Sequence, residues 1–345
     1  MTPSHLLLPF LIAFGVTFAV TPLIKRLAPK LGLVDQPNPR RINKVPMPTG
    51  GGLAVFAGFA VAALFAGVTE MFPTLAAAAV ILVIGLIDDR VGLKASWKFL
   101  GQLLGVLIYV TWGSRIEFVS NPFGGMFYLG WLSIPVTIFW FLALINLMNF
   151  IDGLDGLAVG ITLIAALTLL SLAWDLGRSE AAVLSAVLIG VSAGFLPFNF
   201  NPAKLFLGDS GAMLLGFLLA LISTEGALKG AATIGLSVPI LIFALPIVDT
   251  VCAIVRRTQN GVPFYQADQD HFHHRMLKLG LTQRQVVLVA YFLSSVSACA
   301  ALFTARYAWA AFILVPLVGA AFLYGSARVG MIQVPSSKFK YERRL

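Results

Sequence analysis

The sequence predicts an all-α, polytopic integral membrane protein, and three observations lead to that fold class. Hydrophobic residues make up 59% of the 345 residues and charged residues 11%, whereas about 25% of a typical soluble domain is charged. The mean hydropathy of +0.90 leaves too few polar residues to cover a water-soluble globule. Apolar runs reach about 18 residues or more and alternation with a period of two is weak, so the spans are predicted to be helices rather than barrel strands.

Eleven transmembrane helices are predicted, because a helix needs about 20 mainly apolar residues to cross the hydrocarbon core of a bilayer. In chain order they cover residues 5–24, 50–68, 72–88, 97–113, 131–149, 157–174, 181–198, 209–225, 232–254, 286–304 and 308–326. The longest connections lie at 25–48 and 255–285. The whole chain, 1–345, is therefore predicted to be one membrane domain that ends in a basic cytoplasmic tail at 327–345.

The basic residues predict the orientation of these spans. If the N-terminus lies outside and the spans alternate, 20 of the 24 lysines and arginines fall on the cytoplasmic side. The four that fall outside are Arg115, Arg178, Lys229 and Arg306. Because lysine and arginine concentrate in cytoplasmic loops, the C-terminus is predicted to be cytoplasmic. Lys25 and Arg26 follow the first span instead of preceding it, which argues against a cleaved signal peptide.

The charges also predict where a site lies. The net charge of +9 is explained by a basic inner face against anionic membrane lipid, so no nucleic-acid partner is expected. Nine of the ten aspartates fall on the cytoplasmic side in this topology. Carboxylates gathered at the same ends of several helices predict one polar site on the cytoplasmic face of the membrane.

Two motifs flank the second and third spans. The segment RRINKVPMPTGGG (40–52) leads into the second span, and its Lys44 could contact a phosphate while its glycines permit close approach of a ligand or a helix. The third span ends in GLIDDR (85–90), where Asp88 and Asp89 repel each other unless a proton or a cation compensates. They are expected to accept a proton or face a metal, with Lys98 as a phosphate partner. A polar helix end at the membrane surface is the alternative.

A regular polar series ends the fifth span. Asn146, Asn149, Asp152 and Asp155 recur every three residues, so on one continuous helix they would form a stripe that leads out of the membrane. Gly153 and Gly156 would let a ligand or another backbone approach. The alternative is a solvated helix end with an aspartate capping the next helix. An EF-hand is disfavoured, because its alternating ligands and closing glutamate are missing.

The eighth span begins at LFLGDSGAMLLG (205–216). Asp209 is interpreted either as an N-cap, since a helix N-terminus offers free N–H groups, or as a ligand of Mg²⁺. The second interpretation follows because Mg²⁺ is usually bound by one or two carboxylates together with substrate phosphates.

Histidines gather between the ninth and tenth spans, in RRTQNGVPFYQADQDHFHHR (256–275). His271 and His273 have the spacing of zinc ligands, but no cysteine is near and zinc would need a third partner. Imidazoles and Arg256 suit a diphosphate better, because they donate hydrogen bonds to its oxygens. A solvated polar loop is the remaining alternative.

Together these stretches resemble a known family. DDR (88–90), NLMNFIDGLDGL (146–157), GDSGAMLLG (208–216) and DHFHHR (270–275) are similar to the ordered motifs of the polyprenyl-phosphate N-acetylhexosamine-1-phosphate transferases, the superfamily of MraY, WecA and TagO. The resemblance extends over about residues 40–285. HFHH resembles the WecA/TagO branch, whose eleven spans and outside N-terminus agree with the topology predicted from the basic residues.

The resemblance implies a reaction in cell-envelope glycan synthesis. UDP-N-acetylglucosamine (UDP-GlcNAc) and polyprenyl phosphate, such as undecaprenyl phosphate, would give polyprenyl-diphospho-GlcNAc and UMP. The implied cofactor is Mg²⁺, with Mn²⁺ as a substitute, and a homodimer in the cytoplasmic membrane is compatible with the family. Asp209 would bind the metal with Asn149. Asp88 would accept the proton of the lipid phosphate, with Asp89 beside it.

Further roles also follow from the resemblance. Asp152 and Asp155 would shape the pocket for nucleotide and metal, unless one of them acts as a covalent nucleophile. The residues expected to contact phosphates or the nucleotide sugar are Lys44, Lys98, Asn146, Arg256, His271, His273 and His274.

Two alternative functions are retained. The donor could carry another UDP-N-acetyl sugar, namely GalNAc, MurNAc-pentapeptide or a modified sugar. A polytopic transporter with the acids as an ion-coupling site is disfavoured, because transporter sites lie near the bilayer midplane on broken helices within repeats. Here the span centres contain almost no ionisable residues, and no repeat is detectable.

Overall fold

The computed structural model describes residues 4–37, 45–69, 71–120, 125–226, 237–259 and 271–328. Within these residues lie thirteen α-helices: α1 Ser4–Leu27, α2 Gly52–Phe65, α3 Met71–Val91, α4 Ala95–Trp112, α5 Ser133–Ile151, α6 Leu157–Asp175, α7 Ser179–Asn199, α8 Gly208–Gly226, α9 Ser237–Ile242, α10 Ala244–Gln259, α11 Phe272–Lys278, α12 Gln283–Arg306 and α13 Ala311–Arg328. The strands form two short antiparallel hairpins, β1 (Val34–Asp35) with β2 (Met47–Pro48) and β3 (Phe118–Ser120) with β4 (Met126–Tyr128).

The chain is a multi-pass, predominantly helical membrane protein. Seven helices of the described residues are long and apolar enough to cross a bilayer: α1, α3, α5, α6, α7, α12 and α13. Helix α2 has only 14 residues, fewer than the predicted span of 50–68. In the predicted span of 232–254, residues 232–236 lie outside the described part, and α9 and α10 are separated at Phe243. The count of eleven spans and their orientation therefore remain predictions.

The prediction of one continuous polar stripe along the fifth span is wrong. Helix α5 ends at Ile151, and Asp152 leaves helical geometry with ψ at 52°. Gly156 then adopts a left-handed φ of 81° before α6 begins, a conformation that glycine takes at little cost. Asn149 thus lies on α5, while Asp152 and Asp155 lie in the connection between α5 and α6.

Helix α8 forms the centre of the bundle. Its residues from Ser210 to Thr224 are buried, and α3, α5, α2, α6 and α7 all pack against it. Close packing depends on small residues: a Cβ at Gly85 of α3 would overlap with the backbone of Ser210, and one at Gly216 would overlap with the backbone of α5. Without a hydrophobic driving force between helices in lipid, such close approach is a main source of helix association. It places the end of α3 directly beside the start of α8.

Helix α12 closes the bundle beside α6. Its first turn has a capping box, in which Thr282 Oγ1 accepts from the backbone N–H of Gln285 while the Gln285 side chain accepts from the backbone N–H of Thr282. These bonds satisfy two N–H groups that the helix start would leave unpaired. The cap fixes the beginning of α12, and with it Gln283, at the end of the bundle where α5 ends and α8 begins.

Candidate active site

One cleft, at the end of the bundle where α3 and α5 end and α8 begins, is lined by six of the thirteen predicted site residues. Its volume is about 540 Å³. Six aspartates line it: Asp35, Asp88, Asp89, Asp152, Asp155 and Asp209. They come from the first hairpin, from α3, from the connection between α5 and α6, and from α8. Negative charge from distant parts of the sequence is therefore concentrated in one place.

Lys98 of α4 is bound among these carboxylates. Its Nζ lies 2.8 Å from Oδ2 of Asp88 and 2.9 Å from Oδ2 of Asp209. With the Asn149 amide oriented to satisfy both neighbours, its nitrogen donates to Asp209 Oδ1 at 2.8 Å and its oxygen accepts from Lys98 Nζ at 2.9 Å. Lys98, Asn149, Asp88 and Asp209 thus form one connected polar cluster, of which Asp88 and Asp209 line the cleft.

Asp88 and Asp89 face different partners, so their expected mutual repulsion is relieved. Asp88 accepts from the Leu93 backbone N–H at 2.6 Å in addition to its ion pair with Lys98. Asp89 accepts from the backbone N–H groups of Asp209 at 2.7 Å and Ser210 at 3.2 Å, and from the Ser210 hydroxyl at 2.6 Å. A carboxylate is stabilised by the free N–H groups and the dipole of a helix N-terminus. Asp89 therefore caps α8. The sequence offers this role to Asp209 as one of its two interpretations.

The two aspartates of the α5–α6 connection also differ. Burial raises the pKa of Asp152 well above its usual value, and the negative charges of Asp209, Asp89 and Asp155 add to that effect. Asp155 Oδ2 accepts from the side-chain amide of Asn201 and from the backbone N–H of Ala203, both at 3.0 Å. Asp155 thus ties the connection between α5 and α6 to the connection between α7 and α8.

The histidines form a stacked cluster that an aspartate orients. His271 Nδ1 lies 3.0 Å from Asp249 Oδ2 of α10, and Asp249 Oδ1 accepts from the Phe272 backbone N–H at 2.8 Å. The rings of His271 and His273 stack at 6.0 Å, and those of His273 and His274 lie 4.3 Å apart. Burial, followed by the charge of His274, lowers the pKa of His273 to about 3.

His274 and Gly153 connect this cluster to the cleft. His274 lines the cleft. The His273 ring occupies the space where a Cβ at Gly153 would be. A neighbouring side chain, rather than a ligand or another backbone, therefore explains why position 153 lacks a side chain.

Several of the predicted contact residues that the structure describes do not line the cleft: Lys98, Asn146, Arg256, His271 and His273. The Asn146 amide nitrogen donates to Gln102 Oε1 at 2.9 Å and to the Leu142 carbonyl at 2.8 Å, so its side chain joins α5 to α4. Arg256 is buried on α10 and does not line the cleft. Lys44 lies outside the described residues, as do residues 329–345 of the predicted tail.

The donor atoms of the cleft fit a hard divalent cation. Asp88, Asp152, Asp209 and Asn149 offer carboxylate and amide oxygens, the ligands that Mg²⁺ prefers. Among the described residues, no three His, Cys, Asp or Glu side chains are arranged to hold a metal between them. Mg²⁺ is commonly bound by one or two carboxylates together with substrate phosphates. Asp209 is exposed to the cleft, so its carboxylate fits this way of binding Mg²⁺.

Asp249 and Gln283 were missed as site residues by the sequence interpretation. Asp249 is buried within the apolar run ALPIVDTVCAI of α10, and an ionisable residue in such a run is a functional candidate by itself. Gln283 accepts from the Asn201 amide at 2.8 Å and lines the cleft. It had no comparable signal, because polar residues at a helix start are common.

Comparisons with known proteins agree with the resemblance drawn from the motifs. A model of the family described as "Glycosyl transferase family 4" matches residues 71–227, the part of the chain from α3 to the end of α8. That stretch supplies Asp88, Asp89, Asp152, Asp155 and Asp209 to the cleft, together with Lys98, which pairs with Asp88 and Asp209.

Full-length relatives extend the similarity over most of the chain. A "Probable undecaprenyl-phosphate N-acetylglucosaminyl 1-phosphate transferase" of Bacillus subtilis is 38% identical over 301 residues, which are 85% of this chain and 84% of the relative. A "Decaprenyl-phosphate N-acetylglucosaminephosphotransferase" of Mycobacterium tuberculosis is 39% identical over 312 residues, 80% of this chain and 76% of the relative. An "Undecaprenyl-phosphate alpha-N-acetylglucosaminyl 1-phosphate transferase" of Escherichia coli is 28% identical over 315 residues, 87% of this chain and 85% of the relative. The chain belongs to glycosyl transferase family 4, within the superfamily of the polyprenyl-phosphate N-acetylhexosamine-1-phosphate transferases.

Proposed function

We propose that this protein transfers N-acetylglucosamine-1-phosphate from UDP-GlcNAc to a polyprenyl phosphate, giving polyprenyl-diphospho-GlcNAc and UMP. The observation that carries the proposal is the cleft in which Asp88, Asp209, Asn149 and Lys98 form one polar cluster at the end of a membrane helix bundle. The names of the relatives supply the lipid and the sugar. A cleft at a helix-bundle end lets a soluble nucleotide sugar meet a headgroup that is anchored in the bilayer.

The chemistry requires that one phosphate attack another. An oxygen of the lipid phosphate forms a bond to the sugar-linked phosphorus, and the bond from that phosphorus to the bridging oxygen breaks, so that UMP leaves. Catalysis of such a transfer consists mainly of positioning and charge neutralisation. Asp209 and Asn149 would hold Mg²⁺ together with the substrate phosphates, and the bound ion would supply positive charge to the transferred group.

The residues of the cleft have separate tasks in this proposal. Lys98 binds a phosphate oxygen, and its ion pairs hold it near the reacting groups before substrate arrives. The lipid phosphate replaces Asp88 as the partner of Lys98. The Asp88 carboxylate then accepts the proton of that phosphate. His274 lines the cleft and would contact the nucleotide sugar, while Asp249 and His271 hold the histidine segment in position.

A single displacement is favoured over a covalent intermediate on Asp152 or Asp155. Asp155 Oδ2 is already occupied by two hydrogen-bond donors. The raised pKa of Asp152 disfavours the charged form that a nucleophile needs. A two-step route would exchange labelled UMP into UDP-GlcNAc without any lipid, and such exchange in delipidated enzyme would overturn the single displacement.

The cleft is proposed to face the cytoplasm, where UDP-GlcNAc is made available to membrane enzymes. The asymmetry of 20 to 4 basic residues supports this orientation. Magnesium dependence and a dimeric assembly belong to the same proposal.

The decisive experiment is a release assay on the purified protein in detergent. We expect UMP release from UDP-GlcNAc only when both Mg²⁺ and polyprenyl phosphate are present, and we expect the lipid product to carry the sugar. Competition with UDP-GalNAc and UDP-MurNAc-pentapeptide identifies the sugar. Absence of lipid-dependent UMP release with every donor would overturn the function, and ion-coupled uptake into proteoliposomes without UMP release would favour the transporter instead.

A further inference from the structure

A tyrosine far from the motifs contacts the turn that carries the two aspartates. The Tyr291 hydroxyl of α12 donates to the Gly156 carbonyl at 2.5 Å. Gly156 ends the connection between α5 and α6 and has a left-handed φ of 81°. The contact therefore holds the one residue of this turn whose backbone conformation other residues rarely adopt.

The turn is held from a second side by Asn199. The Gly156 N–H donates to Asn199 Oδ1 at 3.0 Å, and Asn199 Nδ2 donates to the Leu205 carbonyl at 3.1 Å. Asn199 is almost completely buried, with 3% of its surface exposed. Both backbone polar groups of Gly156 are therefore bound by side chains from other helices, α7 and α12.

The packing around Tyr291 is shaped for its ring. Gly160, one turn into α6, has no side chain, and a Cβ there would overlap with the Tyr291 ring. Tyr291 is half-buried and lies against the start of α6. The glycine thus lets the ring approach α6 closely enough for the hydroxyl to reach Gly156.

We propose that Tyr291 is a positioning residue that fixes the α5–α6 turn, and through it the carboxylates of Asp152 and Asp155, relative to Asp209. It does not itself line the cleft. The connection between α7 and α8 is tied to the same turn by Asp155 and Asn199, and this connection leads directly to Asp209. The catalytic part of the inference rests on the proposed transferase function, whereas the hold on the turn does not.

The test compares Tyr291→Phe, which keeps the ring against Gly160 and removes only the hydroxyl, with Tyr307→Phe. Tyr307 directly follows the same helix, is exposed, and packs its ring on Phe303 at 4.9 Å. Hydrogen exchange measured by mass spectrometry on the segment 150–160 reports the turn directly and needs no activity. We expect Tyr291→Phe to speed exchange there about fivefold, the factor equivalent to one net hydrogen bond, and Tyr307→Phe to leave it unchanged.

Turnover provides the second measurement. We expect Tyr291→Phe to lower kcat about fivefold with the KM for UDP-GlcNAc unchanged, because the hydroxyl acts on the geometry of the reacting groups and not on donor binding. Unchanged exchange in the segment 150–160 would overturn the hold on the turn. Faster exchange with unchanged kcat in an active enzyme would overturn the positioning role. If the unchanged protein shows no transferase activity but Tyr291→Phe still speeds exchange in the segment 150–160, only the proposed function is refuted. The hold of Tyr291 on the turn then stands.

Discussion

At the residue scale, the environment of each aspartate determines what it can do. Asp209 is exposed to the cleft, Asp89 is committed to the α8 N-terminus, and Asp155 is committed to the α7–α8 connection. Residues of the same type within one cleft therefore have different tasks. Spacing along the sequence does not distinguish them, because the partner that decides each task comes from another helix.

Asp209→Asn tests the proposed metal ligand. The amide keeps the shape of the side chain but loses its charge, so we expect turnover to fall by at least about a hundredfold, a loss comparable to that of one preorganised electrostatic contact. Titration of Mn²⁺ binding by electron paramagnetic resonance should show weaker affinity in the variant. Near-normal turnover with unchanged metal dependence would exclude the role.

His273 makes stability depend on pH. Its pKa of about 3 lies below that of an unfolded histidine, so the unfolded state binds more protons between about pH 6.5 and pH 3. Stability is therefore fully present above about pH 6.5 and is lost as the pH falls through this window, by up to about 1.4 kcal/mol per pH unit. Thermal unfolding in detergent between pH 7 and pH 5 measures the loss.

The control separates this histidine from the others. His273→Gln should reduce the loss of stability on acidification, whereas His5→Gln, at the exposed start of α1, should not. An identical pH profile for His273→Gln and the unchanged protein would contradict the assignment.

At the element scale, the sequence predicts the helices correctly where they are long and apolar. The prediction is wrong where the helices end. The predicted spans 72–88, 131–149, 157–174, 181–198, 286–304 and 308–326 correspond to α3, α5, α6, α7, α12 and α13. The polar stripe failed because its threefold spacing continued past Ile151, whereas the backbone leaves the helix at Asp152 and Gly156 adopts a left-handed φ before α6 begins. The Asp89 cap on α8 could not be predicted, because it depends on how closely α3 approaches α8.

That close approach is itself testable at Gly85. A methyl group at this position would overlap with the backbone of Ser210, so Gly85→Ala should push α3 away from α8. We expect a loss of about 1 to 3 kcal/mol, as for other overpacked cores, together with loss of turnover because the Asp89 cap is broken.

Gly319→Ala in α13 is the matched control. No atom lies within 4 Å of the Cβ it would add, so it should be neutral or slightly stabilising. The unfolding temperatures of both variants in detergent give the comparison, and equal temperatures would contradict the packing argument.

At the scale of the whole molecule, the sequence predicted that acids from distant motifs would meet at one end of the bundle. Asp88, Asp152 and Asp209 do meet there, because the ends of α3, α5 and α8 lie together. Asp249 was counted among the cytoplasmic aspartates but given no role, since its hydrogen bond with His271, 22 residues later, depends on how the chain folds. Asn146 was placed in the site by its spacing and by the family resemblance, but its amide pairs with Gln102.

Orientation in the membrane can be measured by cysteine labelling of intact cells. In a background with Cys252 and Cys299 replaced by alanine, we expect Leu279→Cys, which is exposed after α11, to resist a membrane-impermeant maleimide. Met126→Cys, which is exposed on the second hairpin, should react. The reverse pattern would place the cleft outside the cell.

The six aspartates of the cleft also bear on the form in which the proposed donor reaches the site. A nucleotide sugar carries negative charge on its diphosphate, and an opening lined by carboxylates repels it at a distance. A nucleotide that is already complexed with a divalent cation meets much less of this repulsion. If the protein acts as proposed, the carboxylates of the cleft favour the neutralised complex over the free anion, and they select the form of the donor before any of them takes part in the transfer.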